Sequence, residues 1–171
     1  VFGKNSSGSA QEWYILGKDE GVSEDNTIIF AASPIAKDQK FNSSTSEKTY
    51  DSTTVYANHY GASDLRAALQ GMLMDTNGNT ETKYFTTTEQ GLMNATTVTT
   101  KDTKNSADYT TTDKLYALAA DGYGSSYKTI KAGSDNKTVL AMSSYWSSGS
   151  HFLLRSPCVE DGSCAMTTSP G

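Results

Sequence analysis

Few residues in this chain have the types and spacing that chemistry needs. His59 and His151 are its two histidines, so an imidazole-based zinc site would need both, together with cysteine or carboxylates from distant segments. Asp75-Thr76-Asn77-Gly78-Asn79-Thr80-Glu81 is an oxygen-rich turn in which Asp75, Asn77, Asn79 and Glu81 could collect a hard cation such as calcium. It is not an EF-hand, because the loop positions that need glycine and a bidentate glutamate hold Thr80 and Thr86. The alternative reading is a solvated Asn-Gly turn following a helix. No G-x-S-x-G elbow occurs, and the acidic residues fall mostly in loops, so neither a serine hydrolase nor a glycosidase pair can be placed. The expectation is a chain without catalysis and without a resident cofactor, calcium being the one cation worth testing.

The cysteines carry a clearer signal. Cys158 and Cys164 flank a stretch with a turn-forming Asp161-Gly162 near its centre, which suits a small disulfide loop; two free thiols are the alternative. Closing so short a ring contributes on the order of 2 kcal/mol, enough to fix a local hairpin but not to hold a fold. Paired cysteines on an acidic, Ser/Thr-rich chain favour an oxidising, extracellular setting. Two stretches interleave aromatic and small polar residues: Tyr123 to Tyr127, and Ser143 to Ser150 with Tyr145 and Trp146. Loops of this composition offer rigid rings and adaptable hydroxyls to a glycan or protein ligand, making Tyr123, Tyr127, Tyr145 and Trp146 the candidate contact residues. The competing reading has these rings covering the core.

These groups must be positioned by 171 residues, 18.3 kDa, which suits one domain spanning 1–171. Hydrophobic residues make up 36% and charged residues 19%, with Ser and Thr filling the gap. A net charge of -5 and a pI near 4.9 exclude the basic footprint of a nucleic-acid binder. No apolar run approaches the roughly 20 residues of a membrane span. Val1 reads as a processed start.

Local patterning supplies the elements. Glu12 to Leu16 and Thr27 to Ala32 read as a hairpin, followed by a long polar loop from Asp38 to Thr54. Ser63 caps a helix through Leu73, with Leu65, Leu69, Met72 and Leu73 on one face. Thr86-Thr87-Thr88-Glu89 is a capping box opening a short second helix that buries Leu92 and Met93 and ends in the β-branched run Thr96 to Thr100. After another polar loop, Asp113 to Ala119, Val139 to Met142 and Phe152 to Leu154 read as strands. The pattern is α+β, two grouped helices packed on mixed or antiparallel strands with long loops.

His151-Phe152-Leu153-Leu154-Arg155-Ser156-Pro157 resembles the W-x-L-R-S-P-G hallmark of a bacterial surface-domain family of unknown function. Trp13 to Gly17 is similar to that family's opening W-x-V-L strand, and Ser63 to Leu69 to its S-x-L-R-x-W-L helix. Phe85 to Glu89 resembles its F-T-x-x-E helix start, and Thr112 to Leu118 its D-K-V-F-L-L strand. The resemblance implies a C-type-lectin-like fold, akin to formylglycine-generating enzymes and phage receptor-binding domains, displayed on secreted bacterial proteins. Leu153, Cys158 and Ala68 depart from the pattern, and the calcium signatures of sugar-binding C-type lectins are absent. The family continues where this chain reaches Gly171, so the expectation is a lectin-like domain lacking its last strands. Arg155 is expected to be structural, its guanidinium fork pairing with a carboxylate or with backbone carbonyls near the helices, Asp64 or Glu89 being the candidate carboxylates.

The function expected is extracellular binding or adhesion to a host or environmental glycan or protein. The alternative is a self-associating structural subunit of a filament or surface layer; an oxidase would require a reactive, copper-bound cysteine pair. If the aromatic loops are the contact surface, Trp146→Ala abolishes glycan-array or host-protein binding and leaves the melting temperature unchanged. A large drop in melting temperature would instead place Trp146 in the core.

Overall fold

The computed structural model describes residues 1–18, 27–119, 131–132, 137–138, 152–158, 162 and 165–168. Among them are two helices, one 3-10 turn and five antiparallel strand pairs, a small α+β arrangement. β1 (Trp13–Lys18) pairs with β2 (Thr27–Ala31), with a register shift between Ile15 and Gly17. β3 (Lys48–Tyr50) and β4 (Thr53–Val55) form a short hairpin inside the stretch expected to be loop. Its turn places Asp51 at φ 45° and Ser52 at φ 65°. Two consecutive left-handed residues make the tight hairpin turn that Asn-Gly normally signals, so Asp-Ser hid it.

The 3-10 turn (Tyr60–Ala62) leads into α1 (Asp64–Gly71), where the Ser63 hydroxyl accepts from the Arg66 N–H at 3.0 Å. α2 (Thr87–Gly91) has the expected capping box: Thr86 Oγ1 accepts from Glu89 N at 3.1 Å, and Glu89 Oε2 accepts from Thr86 N at 2.8 Å. Leu92 corrects the expected buried face, because it is 74% exposed just beyond the helix, while Met93 packs partly against the core. Thr96 to Thr100 is not a fading helix end. It opens β5 (Thr96–Asp102), which pairs through seven positions with β6 (Ala107–Asp113).

β6 stops where the next strand was expected to begin. Residues 115–118 run without regular structure, yet they flank β9 (Phe152–Pro157): Arg155 N–H donates to Leu118 O at 2.8 Å. β9 pairs with β10 (Ala165–Thr168), and β7 (Lys131–Ala132) with β8 (Lys137–Thr138). Every described pairing is antiparallel, so the mixed sheet allowed by the sequence is not seen among the described residues. The strand expected over 139–142 lies outside them.

The apolar core gathers Met72 and Leu73, from the end of α1, with Phe85; Phe2, Trp13, Leu69 and Leu115 pack around it. The first residues are bolted into place: Gly3 N–H donates to Glu89 Oε1 at 2.8 Å, and Trp13 Nε1 donates to Phe2 O at 2.6 Å. Gly3 sits at φ 69°, and a Cβ there would lie 2.4 Å from the Phe85 ring, so both backbone and space demand glycine.

The strongest link between helix and strand is Arg66 on α1 with Asp113 at the end of β6. Both guanidinium contacts, Nε to Oδ2 and Nη2 to Oδ1, measure 2.9 Å, and the Asp113 side chain is 2% exposed. Arg66→Met leaves that carboxylate buried without its partner and should cost about 3–5 kcal/mol. Urea denaturation measures it; a loss below about 1 kcal/mol, the scale of a surface pair, would show the pair is not a lock.

Candidate functional site

Two regions hold the residues that could act on another molecule: a polar interior and an apolar cleft. The interior follows from strand alternation. β5 turns Thr96, Val98, Thr100 and Asp102 inward, and β6 adds Thr111 and Asp113, so one buried face is mostly polar. Each buried polar group left unpaired is costly, and here the charged Asp113 is paired while the hydroxyls of Thr100 and Thr111 have no hydrogen-bond partner among the described residues.

Arg66 satisfies Asp113 and also donates Nη1–H to Gly61 O at 3.2 Å; the Asp113 hydrogen bonds raise the guanidinium pKa further. Tyr60 is fully buried, its hydroxyl accepts from Ala117 N at 3.2 Å, and burial pushes its pKa up to about 12. The Tyr109 hydroxyl accepts from Gly61 N at 3.2 Å and is likewise raised by burial. His59 lies flat on the Tyr109 ring, centroids 3.7 Å apart and planes 17° apart, with Tyr50 at 4.7 Å on another side. Burial lowers the imidazole pKa, and the nearby Asp102 carboxylate only partly offsets this.

Histidine, tyrosine and carboxylate are the residue types of acid–base catalysis. Here His59 and Tyr60 are sealed, 2% and 0% exposed, while Tyr50 and Tyr109 are partly exposed. The cluster forms a polar keel beneath α1.

The open surface lies elsewhere. A cleft of about 910 Å³ is bounded by β2, by α1 and by residues 92–96 and 114–118, with Phe152 and Leu153 of β9 at one side. Trp13, Leu69, Met72 and Met93 line it where it meets the core, and Lys37, Asp38, Gln39 and Lys114 place polar groups along it. Phe30 and Phe152 meet with ring centroids 5.3 Å apart. An apolar lining with a few polar groups is the usual make-up of a ligand cleft.

The residues named from the sequence are distributed differently. Asp75 uses its carboxylate locally: Oδ2 accepts from Asn79 Nδ2 at 3.0 Å, and Oδ1 accepts from Asn79 N at 2.8 Å and Asn77 N at 2.9 Å. Those bonds hold its pKa below the usual carboxylate range, those from Asn79 foremost. Glu81 turns to Thr87 N–H, 2.8 Å away at the start of α2. Asp75, Asn77, Asn79 and Glu81 therefore form an Asx-type turn and a helix-end contact rather than one converging set. No group of three or more His, Cys, Asp or Glu is gathered for a metal among the described residues. Cys158 is disulfide-bonded, while Cys164 and His151 lie outside the described residues. Tyr123, Tyr127, Tyr145 and Trp146 lie outside them too.

Arg155 requires a correction. Neither Asp64 nor Glu89 is its partner, because each already serves a helix start. Asp64 holds Lys48 at 2.6 Å and Ser43 N–H at 2.7 Å, and Glu89 holds Thr86 and Gly3. Arg155 instead donates Nη1–H to Ala117 O at 2.9 Å and lies 5.8 Å from the centre of the Tyr116 ring. A forked carboxylate pairing is seen for Arg66, on Asp113. Both members of that pair stand in segments singled out from the sequence, the Ser63 helix and the strand beginning at Asp113, but their separation in the chain concealed the contact.

Gly61 is where the keel is tightest. A Cβ there would lie 2.7 Å from the Tyr50 ring and 2.9 Å from His59 Cε1. Gly61→Ala should destabilise the fold by about 1–3 kcal/mol, with loss of the His59–Tyr109 stack visible as a change in near-ultraviolet circular dichroism. An unchanged melting temperature would show that the rings have room to shift.

Comparison with known protein families, with curated proteins and with solved structures finds no match.

Proposed function

We propose that this chain is an extracellular binding domain of lectin-like architecture, non-catalytic, that takes an apolar or aromatic part of a glycan or protein ligand into the cleft beside β2 and α1. The observation that carries the reading is the contrast between the two regions: among the described residues, His59 and Tyr60 are buried, while an apolar cleft of about 910 Å³ stands open. The disulfide-bonded Cys158 supports an oxidising compartment. In this reading the polar-aromatic loops around Tyr123 to Tyr127 and Tyr145-Trp146 add contacts to the cleft. Among the described residues no helix is long and apolar enough to cross a membrane, which is consistent with a displayed domain.

A specific feature favours the second reading, a self-associating subunit of a filament or surface layer. Ile15 and Ile29 sit opposite one another on the β1–β2 hairpin, 67% and 39% exposed. An exposed cross-strand apolar pair is the kind of surface that a second copy covers.

The rim of the cleft allows a clean test, because Ile29 and Leu92 line it while remaining exposed. The double variant Ile29→Glu, Leu92→Glu should weaken retention on an array of immobilised glycans and surface proteins by at least about tenfold. Its stability should stay within about 1 kcal/mol of the wild type, as expected for two surface positions. Binding equal to the wild type would remove the cleft from the contact surface. Concentration-dependent sedimentation abolished by Ile15→Lys would establish the subunit reading in its place.

A further inference from the structure

The two described residues of the C-terminal loop, Cys158 and Gly162, rest on the segment Tyr56 to His59. Asn58 N–H donates to Gly162 O at 2.9 Å, and Asn58 Nδ2 reaches Cys158 O at 3.4 Å. The Asn58 side-chain oxygen accepts in turn from Thr103 Oγ1 at 3.2 Å, tying the loop to the end of β5. Gly162 lies against the face of Tyr56, so close that a Cβ would sit 2.5 Å from the ring. His59 N–H donates to Tyr56 O at 3.1 Å and closes the turn that presents Asn58. The residue closing that turn is thus also the buried imidazole of the keel.

We propose that His59 is an acid-operated latch on this loop: uncharged, its ring anchors the turn that seats Cys158 and Gly162, and on taking up a proton it leaves its stack and frees them.

The geometry gives a charged ring little to bind. His59 is 2% exposed, its Nδ1 is buried without a hydrogen-bond partner, Tyr109 stacks on one face, and the tilted Tyr50 ring lies 4.7 Å away to its side. Three charged groups face it: Asp102 of β5 and Asp51 of the β3–β4 turn favour the cation, and Arg66 of α1 opposes it. Arg66 is itself held on Asp113 and cannot turn away without stranding that carboxylate. Desolvation is the largest of these influences, so the folded state prefers the neutral ring, and its pKa lies below the ordinary 6.5. The sign follows. Above 6.5 the imidazole is neutral in both seated and released states and the latch is at full strength. Below it the released state binds the proton more readily, and acid progressively favours release.

The test is the rate at which a phosphine reduces the Cys158 disulfide in the native chain, divided by the rate for the same chain unfolded in urea at the same pH. Between about pH 7.5 and about pH 5 the wild-type ratio should rise severalfold, up to about thirtyfold, since a single group gains at most about tenfold per pH unit below its titration in the released state. His59→Phe, which keeps a ring in the stack and cannot titrate, should show no rise. A flat wild-type ratio overturns the proposal. An equal rise in His59→Phe also overturns it, because the acid response then does not come from the imidazole. Should His59→Phe not fold, NMR of the wild type decides: the His59 ring and the Asn58 amide must titrate together, and an Asn58 amide unmoved while the ring titrates refutes the latch.

Discussion

The fork of Arg66 on Asp113 is the constraint from which the described architecture follows. A carboxylate with 2% of its side chain exposed is tolerable only because two guanidinium contacts of 2.9 Å meet it. The pair sets α1 against the end of β6, and the third guanidinium contact fixes Gly61, which also donates to Tyr109. Tyr109 carries His59, and the turn ending at His59 carries the C-terminal loop. Each step is short-ranged, yet together they connect residues from position 58 to position 162.

Much of this was legible where the determining physics is local. Ser63 and Thr86 announced both helix starts, because a cap is a contact between residues three apart. The β1–β2 hairpin was legible from two apolar runs around a polar turn. The β5–β6 hairpin was not, since a run of threonines suits an exposed loop and a strand equally well. Thr96 and Thr100 are buried while Thr97 and Thr99 are exposed, a difference set by the facing side chains and not by residue type. The same limit explains Arg155. A backbone carbonyl was among the acceptors expected for it, but which one, Ala117 O, is set by the fold and leaves no mark in a sequence, while Asp64 and Glu89 serve helix starts.

The site divides along the same line. That Cys158 is disulfide-bonded was readable from the paired cysteines. The acidic turn at Asp75 was readable as a turn, but its oxygens are turned inward by Asn77 and Asn79. The cleft was invisible, because it is a space and not a motif. Ile28, Leu69 and Met93 look like ordinary core residues until the fold leaves a gap between them.

The chain has therefore arranged its surfaces against the usual allotment. Arginine, aspartate, histidine and threonine make a buried scaffold, and apolar residues line the opening. The consequence is mechanical. One side of the cleft is α1, oriented by the Arg66 pair on its far side and by Gln70, whose side chain donates to Leu115 O at 3.1 Å. Lys114 donates to Gln90 O at 2.8 Å and holds the neighbouring segments 92–96 and 114–118 together. Polar contacts with strict distances thus fix the spacing of apolar groups that have none. Side chains at the rim can change without disturbing those contacts, whereas a change in the polar scaffold would alter the width of the cleft itself.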